Sequence, residues 1–240
     1  MKAVIIAAGM GSRLSSVHGE TPKTLLPFRG NTILSTIIEN IATAGINDLV
    51  IVVGYQADHI RRYIAGNESR FACSVRLVEN PHWTRGNGIS VLASETAVGG
   101  DDFILSMSDH IVSPSAIRRV ASHPGMRNLL LVDRDISGNF DLDDATKVLV
   151  AEENAIVGIG KELSIYNALD CGIFRLTPRF YDSMRRQLKE NRESISNAVT
   201  GLIDNRDMEA VFLESGEQWF DIDTPEAYVH ALKNSIPRTA

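Results

Sequence analysis

An apolar run that leads directly into a glycine-containing loop is the feature that most constrains the fold of this chain. The run covers residues 2–8, and the loop after it contains Gly9 and Gly11. Near-continuous apolar runs of this kind are typical of strands that are buried on both faces of a parallel sheet. The pattern therefore predicts a buried first strand with a flexible loop at its carboxyl end.

The loop and the segment after it have the residue types of an anion-binding site. Glycine lacks a Cβ atom and permits positive φ, so several backbone N–H groups can converge on anionic oxygens. Arg13 can contact two oxygens with its planar fork, whereas Lys23 supplies a compact point charge. A structural turn would explain the glycines equally well, and either cation alone is typical of a protein surface. Together they favour a triphosphate site.

The spacing differs from two other nucleotide motifs. Leu14 stands where the dinucleotide motif G-x-G-x-x-G has its third glycine, and no Gly-Lys-Ser/Thr of a Walker P-loop follows. Dehydrogenases of the dinucleotide type also carry an acidic residue at the end of the second strand, where this chain has Gly54. A dehydrogenase is therefore disfavoured.

Helix and strand patterns alternate along the first half of the chain. Strands are predicted at residues 49–53, 75–78 and 102–107, and helices at 33–41, 58–65, 88–97 and 114–121. From residue 127 the predicted strands follow one another, at 129–133, 147–151, 155–159 and 172–176; helices at 178–189, 195–203 and 225–234 and a strand at 209–213 complete the chain. This order predicts a single α/β domain, with a Rossmann-like, mostly parallel sheet flanked by helices and a small antiparallel extension.

Composition narrows the class of protein further. A chain of 240 residues that is 44% hydrophobic suits one sizeable domain, and a net charge of −6 argues against a nucleic-acid-binding surface. Cys73 and Cys171 are far apart in the sequence and indicate neither a zinc site nor a disulfide framework. Met1 and Lys2 lead straight into the first strand, with no leader pattern, and no apolar run has the length of a membrane span. We expect a cytoplasmic protein.

Four segments together resemble the sugar-nucleotidyltransferase superfamily. The first contains Ala-Gly-x-Gly-x-Arg-Leu over residues 8–14 and Pro-Lys at 22–23. The others are residues 86–88, 103–110 and 219–224. Within the superfamily the chain is most similar to the CTP:inositol-1-phosphate cytidylyltransferases, on residues 86–88, 109–110, 145–147, 159–161 and 219–224. The match covers nearly the whole chain and implies the nucleotide-diphospho-sugar transferase fold.

The resemblance implies that CTP condenses with a small phosphomonoester, inositol 1-phosphate in this subfamily, to give a CDP-alcohol and pyrophosphate. The acceptor phosphate is already an anionic nucleophile, so catalysis should depend mostly on alignment and charge neutralisation. We expect in-line attack at the α-phosphate, with Arg13 and Lys23 as the catalytic cations. Nucleotide binding would involve residues of about 1–125, and acceptor binding those of about 126–220.

The resemblance also implies two sets of binding residues. Nucleotide binding is predicted for Ala7, Ala8, Gly9, Gly11, Ser12, Glu79, Gly86, Asn87, Gly88 and Asp109. Acceptor binding is predicted for His110, Arg134, Lys147, Lys161 and Asp170. The charged residues of the antiparallel extension also fit solvated surface charges, an alternative that is stronger for Arg134 and Asp170 than for the two lysines. Asn87 also fits a simple turn, because Asn-Gly is a favoured turn pair.

Carboxylates near two strand ends predict a magnesium site. Asp109 follows a predicted strand, and Asp221 and Asp223 lie just before the last helix. Mg²⁺ prefers one or two carboxylates together with substrate phosphates and water. Asp223 also fits a helix N-terminus, because Thr224 and Pro225 follow it. The metal is therefore assigned to Asp109 and Asp221, with Asp223 in a supporting or shared role.

Several alternatives remain. Phosphocholine, an alkylphosphonate or another sugar 1-phosphate could be the acceptor, although a choline-type acceptor would favour an aromatic box that a chain with 6% aromatic residues does not obviously supply. A different class of protein, a catalytically idle nucleotide-binding regulator, would keep the glycine loop without the metal carboxylates. In related proteins this domain is fused to a membrane-embedded transferase, and here we expect any downstream CDP-alcohol transferase to be a separate chain. The sequence does not indicate the oligomeric state.

Overall fold

The computed structural model describes residues 1–14, 21–137 and 142–234. The strands are β1 Lys2–Ala7, β2 Pro27–Phe28, β3 Asn31–Thr32, β4 Asp48–Val53, β5 Ser74–Glu79, β6 Phe103–Met107, β7 His110–Val112, β8 Asn128–Asp133, β9 Lys147–Val150, β10 Ile156–Gly160, β11 Ala168–Leu176, β12 Met208–Phe212 and β13 Trp219–Asp221. The α-helices are α1 Ile33–Thr43, α2 Ala57–Asn67, α3 Asn87–Ala93, α4 Glu95–Val98, α5 Pro114–Ser122, α6 Arg179–Leu188, α7 Ile195–Ile203 and α8 Pro225–Asn234. None of these helices is both long and apolar enough to cross a membrane.

A mixed sheet forms the centre of the molecule. Strands β5, β4, β1 and β6 lie side by side in that order and are parallel. Strand β11 then pairs antiparallel with β6 through its second half and with β9 through its first residues, and β10 continues antiparallel from β9. On its other edge β11 pairs antiparallel with β8, which pairs parallel with β12. The predicted fold class, a mostly parallel sheet with an antiparallel extension, is confirmed.

Both faces of the sheet are covered, because successive residues of β1 belong to different apolar clusters. Ala3 and Ile5 pack with residues of α1, α2 and α5. Val4, on the opposite face, packs with residues of α3, α4, α6 and α7. All three side chains are fully buried. This double burial explains why the first strand lacks the alternation of polar and apolar residues that a half-exposed strand would show.

Most predicted elements begin and end within two residues of those in the structure. The exceptions include β11, which begins at Ala168 rather than at residue 172, and the short strands β2 and β3, which the sequence pattern does not predict. The helix predicted at 88–97 is two helices, because regular α-helix stops at Ser94 between α3 and α4. The sequence analysis did not predict β7 and β13, which form a separate two-stranded antiparallel sheet. Of the two loop glycines, Gly11 uses the positive φ that glycine permits, with φ of 62°, and Gly9 does not.

Candidate functional site

A cleft of about 410 Å³ lies where the carboxyl ends of β1 and β6 meet the beginning of β11. Parallel strands place their following loops at one edge of a sheet, and this edge is where α/β proteins bind ligands. Because β11 runs in the opposite direction, its first residues reach the same edge. The cleft-lining residues from the predicted sets are Ala8, Gly9, Gly11, Ser12, Arg13, Lys23, Asn87, Asp109, His110, Lys161, Asp170, Asp221 and Asp223.

The loop after β1 is shaped by Gly11. A Cβ atom at this position would lie 2.8 Å from Cβ of Lys23, and φ of 62° is unfavourable for other residues. The loop continues as a short 3₁₀ helix, Ser12–Leu14, in which the Leu14 amide donates to the Gly11 carbonyl at 3.0 Å. Gly9 differs, because a Cβ atom there would have no neighbour within 4 Å among the described residues. Gly11 is thus required by the chain's own packing, and Gly9 faces open space.

Lys23 is a buried cation held by two carboxylates. Its side chain is 10% exposed, and Nζ lies 2.6 Å from Asp109 Oδ2 and 2.5 Å from Asp223 Oδ1. Burial alone would lower the pKa of Lys23, but the charges of Asp109 and Asp223 outweigh burial and raise that pKa above its ordinary value. Lys23 therefore stays positively charged, and it joins the loop of β1 to the carboxylates beyond β6 and β13.

Arg13 and Lys161 share a third carboxylate, Asp144. One oxygen of Asp144 accepts a hydrogen bond from Arg13 Nη1, and the other accepts from Lys161 Nζ at 2.7 Å. Arg13 Nη2 also lies 2.6 Å from Asp223 Oδ2. Partial burial would raise the pKa of Asp144, but hydrogen bonds from Lys161 and Arg13 outweigh that effect and lower the pKa below its ordinary value. Asp144 is therefore ionised at neutral pH.

The small sheet of β7 and β13 brings His110 opposite Asp221. His110 Nδ1 lies 2.9 Å from Asp109 Oδ1, and Nε2 lies 3.7 Å from Asp221 Oδ2. The imidazole stacks on Trp219 with a centroid separation of 5.8 Å. Burial would lower the pKa of His110, but the charge of Asp221 and the hydrogen bond to Asp109 raise it to about 10. His110 is thus an imidazolium between two carboxylates.

One potential ligand atom from each of Asp109, His110 and Asp221 lies within 4.8 Å of the others, which is close enough for the group to hold a metal ion. Burial raises the pKa of Asp221 to about 7, and its Oδ1 is buried with no hydrogen-bond partner among residues 1–14, 21–137 and 142–234. A buried, unpartnered carboxylate oxygen is an unfavourable arrangement unless a cation binds it. The carboxylates of Asp109 and Asp221 therefore fit a divalent ion, whereas the protonated His110 beside them has no free ring nitrogen to ligate it. Asp223, for which the sequence predicts a supporting or shared role, pairs with Arg13 and Lys23.

The Gly86-Asn87-Gly88 segment is constrained by the protein itself. Cβ atoms at Gly86 and Gly88 would lie 2.4 Å and 2.7 Å from the Glu193 carbonyl oxygen, and at Gly88 also 2.4 Å from Met184 Sδ. Asn87 Oδ1 accepts a hydrogen bond from the Ile195 amide at 2.9 Å, which holds the side chain at the cleft wall. These glycines are therefore explained by packing against the loop before α7, and Asn87 alone of the three lines the cleft.

Several predicted residues lie outside the cleft lining. Arg134 stacks over Phe212, with Cζ 3.4 Å from the ring centroid, and Glu79 pairs with Arg61. Lys147 donates to the Lys161 carbonyl at 2.8 Å, so it supports the position of Lys161. Ala7, Gly86 and Gly88 are likewise absent from the lining. The structure does not bring these side chains to the place where the other predicted residues converge.

Asp170 does line the cleft, at the beginning of β11. Burial raises its pKa to about 6, although its Oδ1 accepts a hydrogen bond from the Gly172 amide at 2.7 Å. Gly172 is required beside it, because a Cβ atom there would lie 2.5 Å from the His110 ring. Asp170 and His110 are thus packed into one corner of the cleft.

The sequence did not identify Asp144 or Trp83 as site residues. Trp83 lines the cleft and packs on Gly54, where a Cβ atom would lie 2.4 Å from Cβ of Trp83. Asp144 directly precedes the Ala145-Thr146-Lys147 segment that the sequence singled out. A carboxylate next to that segment, in a site otherwise rich in cations, was the available signal for Asp144. For Trp83 the sequence gives no signal beyond its position shortly before Gly86.

Curated relatives match almost the whole of this chain but extend well beyond it. The "Bifunctional IPC transferase and DIPP synthase" of Rubrobacter xylanophilus is 30% identical over 225 residues, which are 93% of this chain and 49% of that protein. The protein of the same name from Aquifex aeolicus is 30% identical over 239 residues, which are 99% of this chain and 52% of that protein. The chain thus spans about half the length of the curated relatives it matches.

A solved structure and a family model match as well. The inositol-1-phosphate CTP transferase from T. maritima is 28% identical and superposes with a TM-score of 0.83, covering 98% of this chain and 97% of that one. The model of the MobA-like NTP transferase domain matches residues 3–134, which are more than half of the chain and include β1, its loop, Lys23 and Asp109. With the cleft at the carboxyl ends of β1 and β6, this match shows that the chain belongs to the MobA-like NTP transferase domain family.

Proposed function

We propose that this protein is a cytidylyltransferase that condenses CTP with inositol 1-phosphate to give a CDP-alcohol and pyrophosphate. The observation that carries the proposal is one cleft lined both by the loop of β1 with Arg13 and Lys23 and by Lys161 and Asp170 of the antiparallel part. Two anionic reactants can therefore meet between these groups. The choice of CTP and of inositol 1-phosphate is supported by the names of the relatives that match nearly the whole chain.

The chain's own residues account for most of the required chemistry. Arg13 and Lys23 bind the triphosphate and stabilise the charge that develops on the leaving pyrophosphate. Lys161 holds the acceptor phosphate beside the α-phosphate, so that the reaction gains from orientation. Asn87 and Trp83 border the space for the base, and Asp170 offers a carboxyl group to the hydroxyls of a polyol. A strong general base is unnecessary, because the attacking phosphate oxygen is already anionic.

We further propose that a magnesium ion binds to Asp109 and Asp221. The support is the unpartnered, buried Oδ1 of Asp221 and its closeness to the carboxylate of Asp109. Mg²⁺ prefers carboxylate oxygens together with substrate phosphates, which the bound nucleotide would supply. When bound, the ion would neutralise phosphate charge and orient the reacting groups.

The test is pyrophosphate release from each of CTP, UTP and dTTP with a panel of acceptors. The panel contains inositol 1-phosphate, phosphocholine, 2-aminoethylphosphonate and glucose 1-phosphate, each with Mg²⁺ or with EDTA. We expect release with CTP and inositol 1-phosphate that stops in EDTA. Preference for another acceptor would overturn the substrate assignment, and silence with every pair would favour a nucleotide-binding regulator.

A further inference from the structure

Asp144 links the two halves of the cleft through a single carboxylate. Its Oδ2 accepts from Arg13 Nη1, in the loop after β1, and its Oδ1 accepts from Lys161 Nζ, directly after β10, at 2.7 Å. Both cations line the cleft, and Asp144 lines it between them. Without substrates, an anion of the protein therefore occupies the position between the nucleotide-side cation and the acceptor-side cation.

We propose that Asp144 is a displaceable counter-ion: the triphosphate of the nucleotide takes its place on Arg13, and Lys161 is thereby released to bind the phosphate of the acceptor. Asp144 is then a positioning residue that couples nucleotide binding to acceptor binding. The inference rests on the roles proposed above for Arg13 and Lys161. It adds Asp144 to the residues of the site and couples the binding of the two substrates.

Exposure favours displacement at Asp144 over the other carboxylates. The side chains of Arg13, Asp144 and Lys161 are 48%, 29% and 47% exposed, so water screens their ion pairs. Lys23 is only 10% exposed and is held by two carboxylates. A triphosphate carries several negative charges and can outcompete one exposed carboxylate. Lys23 instead keeps its two buried partners and offers the triphosphate the third N–H of its ammonium group.

The geometry of Arg13 suits such an exchange. A guanidinium offers two parallel N–H donors that match either a carboxylate or a phosphate. Arg13 Nη2 lies 2.6 Å from Asp223, so this half of the fork can keep its partner while Nη1 changes from Asp144 to a phosphate oxygen. The loop of β1 would then remain in place, and the change would be confined to the Asp144 side chain and Lys161.

The first test measures binding of inorganic pyrophosphate by isothermal titration calorimetry to the wild type, Asp144→Asn and Asp143→Asn. Asp143 is exposed and adjacent, so its variant changes the net charge equally without removing the carboxylate between Arg13 and Lys161. We expect Asp144→Asn to bind pyrophosphate about fivefold more tightly, since a weak competing ion pair is gone, and Asp143→Asn to change affinity less than twofold. Asp144→Ala should act in the same direction.

The second test measures how much bound pyrophosphate changes the affinity for inositol 1-phosphate. If Asp144 had only a structural role, its substitution would leave this coupling unchanged. In the wild type, saturating pyrophosphate should raise the affinity for inositol 1-phosphate about threefold or more, because Asp144 has left Lys161. In Asp144→Asn the acceptor affinity should be the same with and without pyrophosphate, and Asp144→Glu should restore the coupling.

Unchanged or weaker pyrophosphate binding in Asp144→Asn, or an equal gain in Asp143→Asn, would overturn the inference. The pyrophosphate measurement needs no turnover and no acceptor. If the proposed cytidylyltransferase reaction is wrong, the wild type will show no turnover. The pyrophosphate affinities of the variants can still be compared in that case.

Discussion

Individual residues of the loop after β1, and Lys23 beside it, differ in the structural constraints that act on them. Gly11 has positive φ and touches Lys23, whereas Gly9 has neither constraint. Lys23 in turn is held by Asp109 and Asp223 rather than exposed as a free surface charge. Because of these differences, some substitutions in this loop should affect mainly stability and others mainly ligand binding. Single substitutions can therefore test the two effects separately.

Substitution of the two loop glycines should give opposite patterns. Gly11→Ala should lower the free energy of unfolding by about 1–3 kcal/mol, because alanine is strained at φ of 62° and its Cβ meets Lys23. Gly9→Ala should change stability by less than about 0.5 kcal/mol but weaken CTP binding, since its Cβ would enter the space for the phosphates. Urea unfolding and CTP titration measure the two effects. Equal stability losses in both variants would contradict this assignment.

Lys23→Ala should lower kcat by about 10²–10³-fold, by analogy with the loss of one preorganised electrostatic donor. The variant also leaves Asp109 and Asp223 without their shared cation, so its melting temperature must be measured beside its pyrophosphate release. Lys189→Ala is the matched control, because that lysine is exposed at the end of α6 and lies outside the cleft lining. A loss below fivefold in Lys23→Ala, in a folded variant, would exclude the proposed catalytic role.

Secondary-structure elements bring together side chains that are distant in the sequence. The pairing of β13 with β7 sets Asp221 opposite His110, and the packing of α3 against the loop before α7 depends on glycines. The site thus depends on two short contacts between elements. The segments that form these contacts show no periodic hydrophobic pattern that would predict the contacts from the sequence.

Helix α3 offers a paired test of glycine packing. Gly88→Ala should lower the free energy of unfolding by about 1–3 kcal/mol, because its Cβ would meet Met184 and the backbone of Glu193. Gly66→Ala, at an exposed position of helix α2 where the described residues place no neighbour within 4 Å of the added Cβ, should raise it by about 0.5–1 kcal/mol through helix propensity. Chemical denaturation compares the two, and a destabilised Gly66→Ala would contradict the argument.

Elements with a long hydrophobic pattern could be predicted from the sequence, and short contacts could not. The apolar spacing of Ile33, Ile37 and Ile41 indicated α1, and the run at 49–53 indicated β4. Strands β7 and β13 have three residues each, which is too few to show the alternation of polar and apolar residues that identifies a strand. Asp144 was missed for a related reason: its importance comes from Arg13 and Lys161, which the fold alone places beside it.

For the whole molecule, ligand and metal binding should appear as added stability. A ligand that binds only the folded state raises the free energy of unfolding, by about 2.7 kcal/mol at a hundred times its Kd. With the roles proposed here, CTP with Mg²⁺ should raise the melting temperature more than CTP with EDTA. Asp221→Asn should abolish the difference, because it removes the carboxylate whose Oδ1 lacks a partner among the described residues.

The control for that measurement is Asp101→Asn. Asp101 is exposed and precedes β6, so it lies at the opposite edge of the sheet from the cleft. Its variant should keep the full Mg²⁺-dependent shift. A shift that persists in Asp221→Asn, measured by scanning fluorimetry or calorimetry, would exclude Asp221 as a metal ligand.

The reversed direction of β11 determines how acceptor specificity can vary in this architecture. Strand β11 and its neighbour β9 begin at the edge where the parallel strands end, so the segments leading into them face the nucleotide loop across a fixed sheet. With the roles proposed here, substitutions in the segment leading into β11 should alter the choice of alcohol phosphate while the loop after β1 keeps its structure.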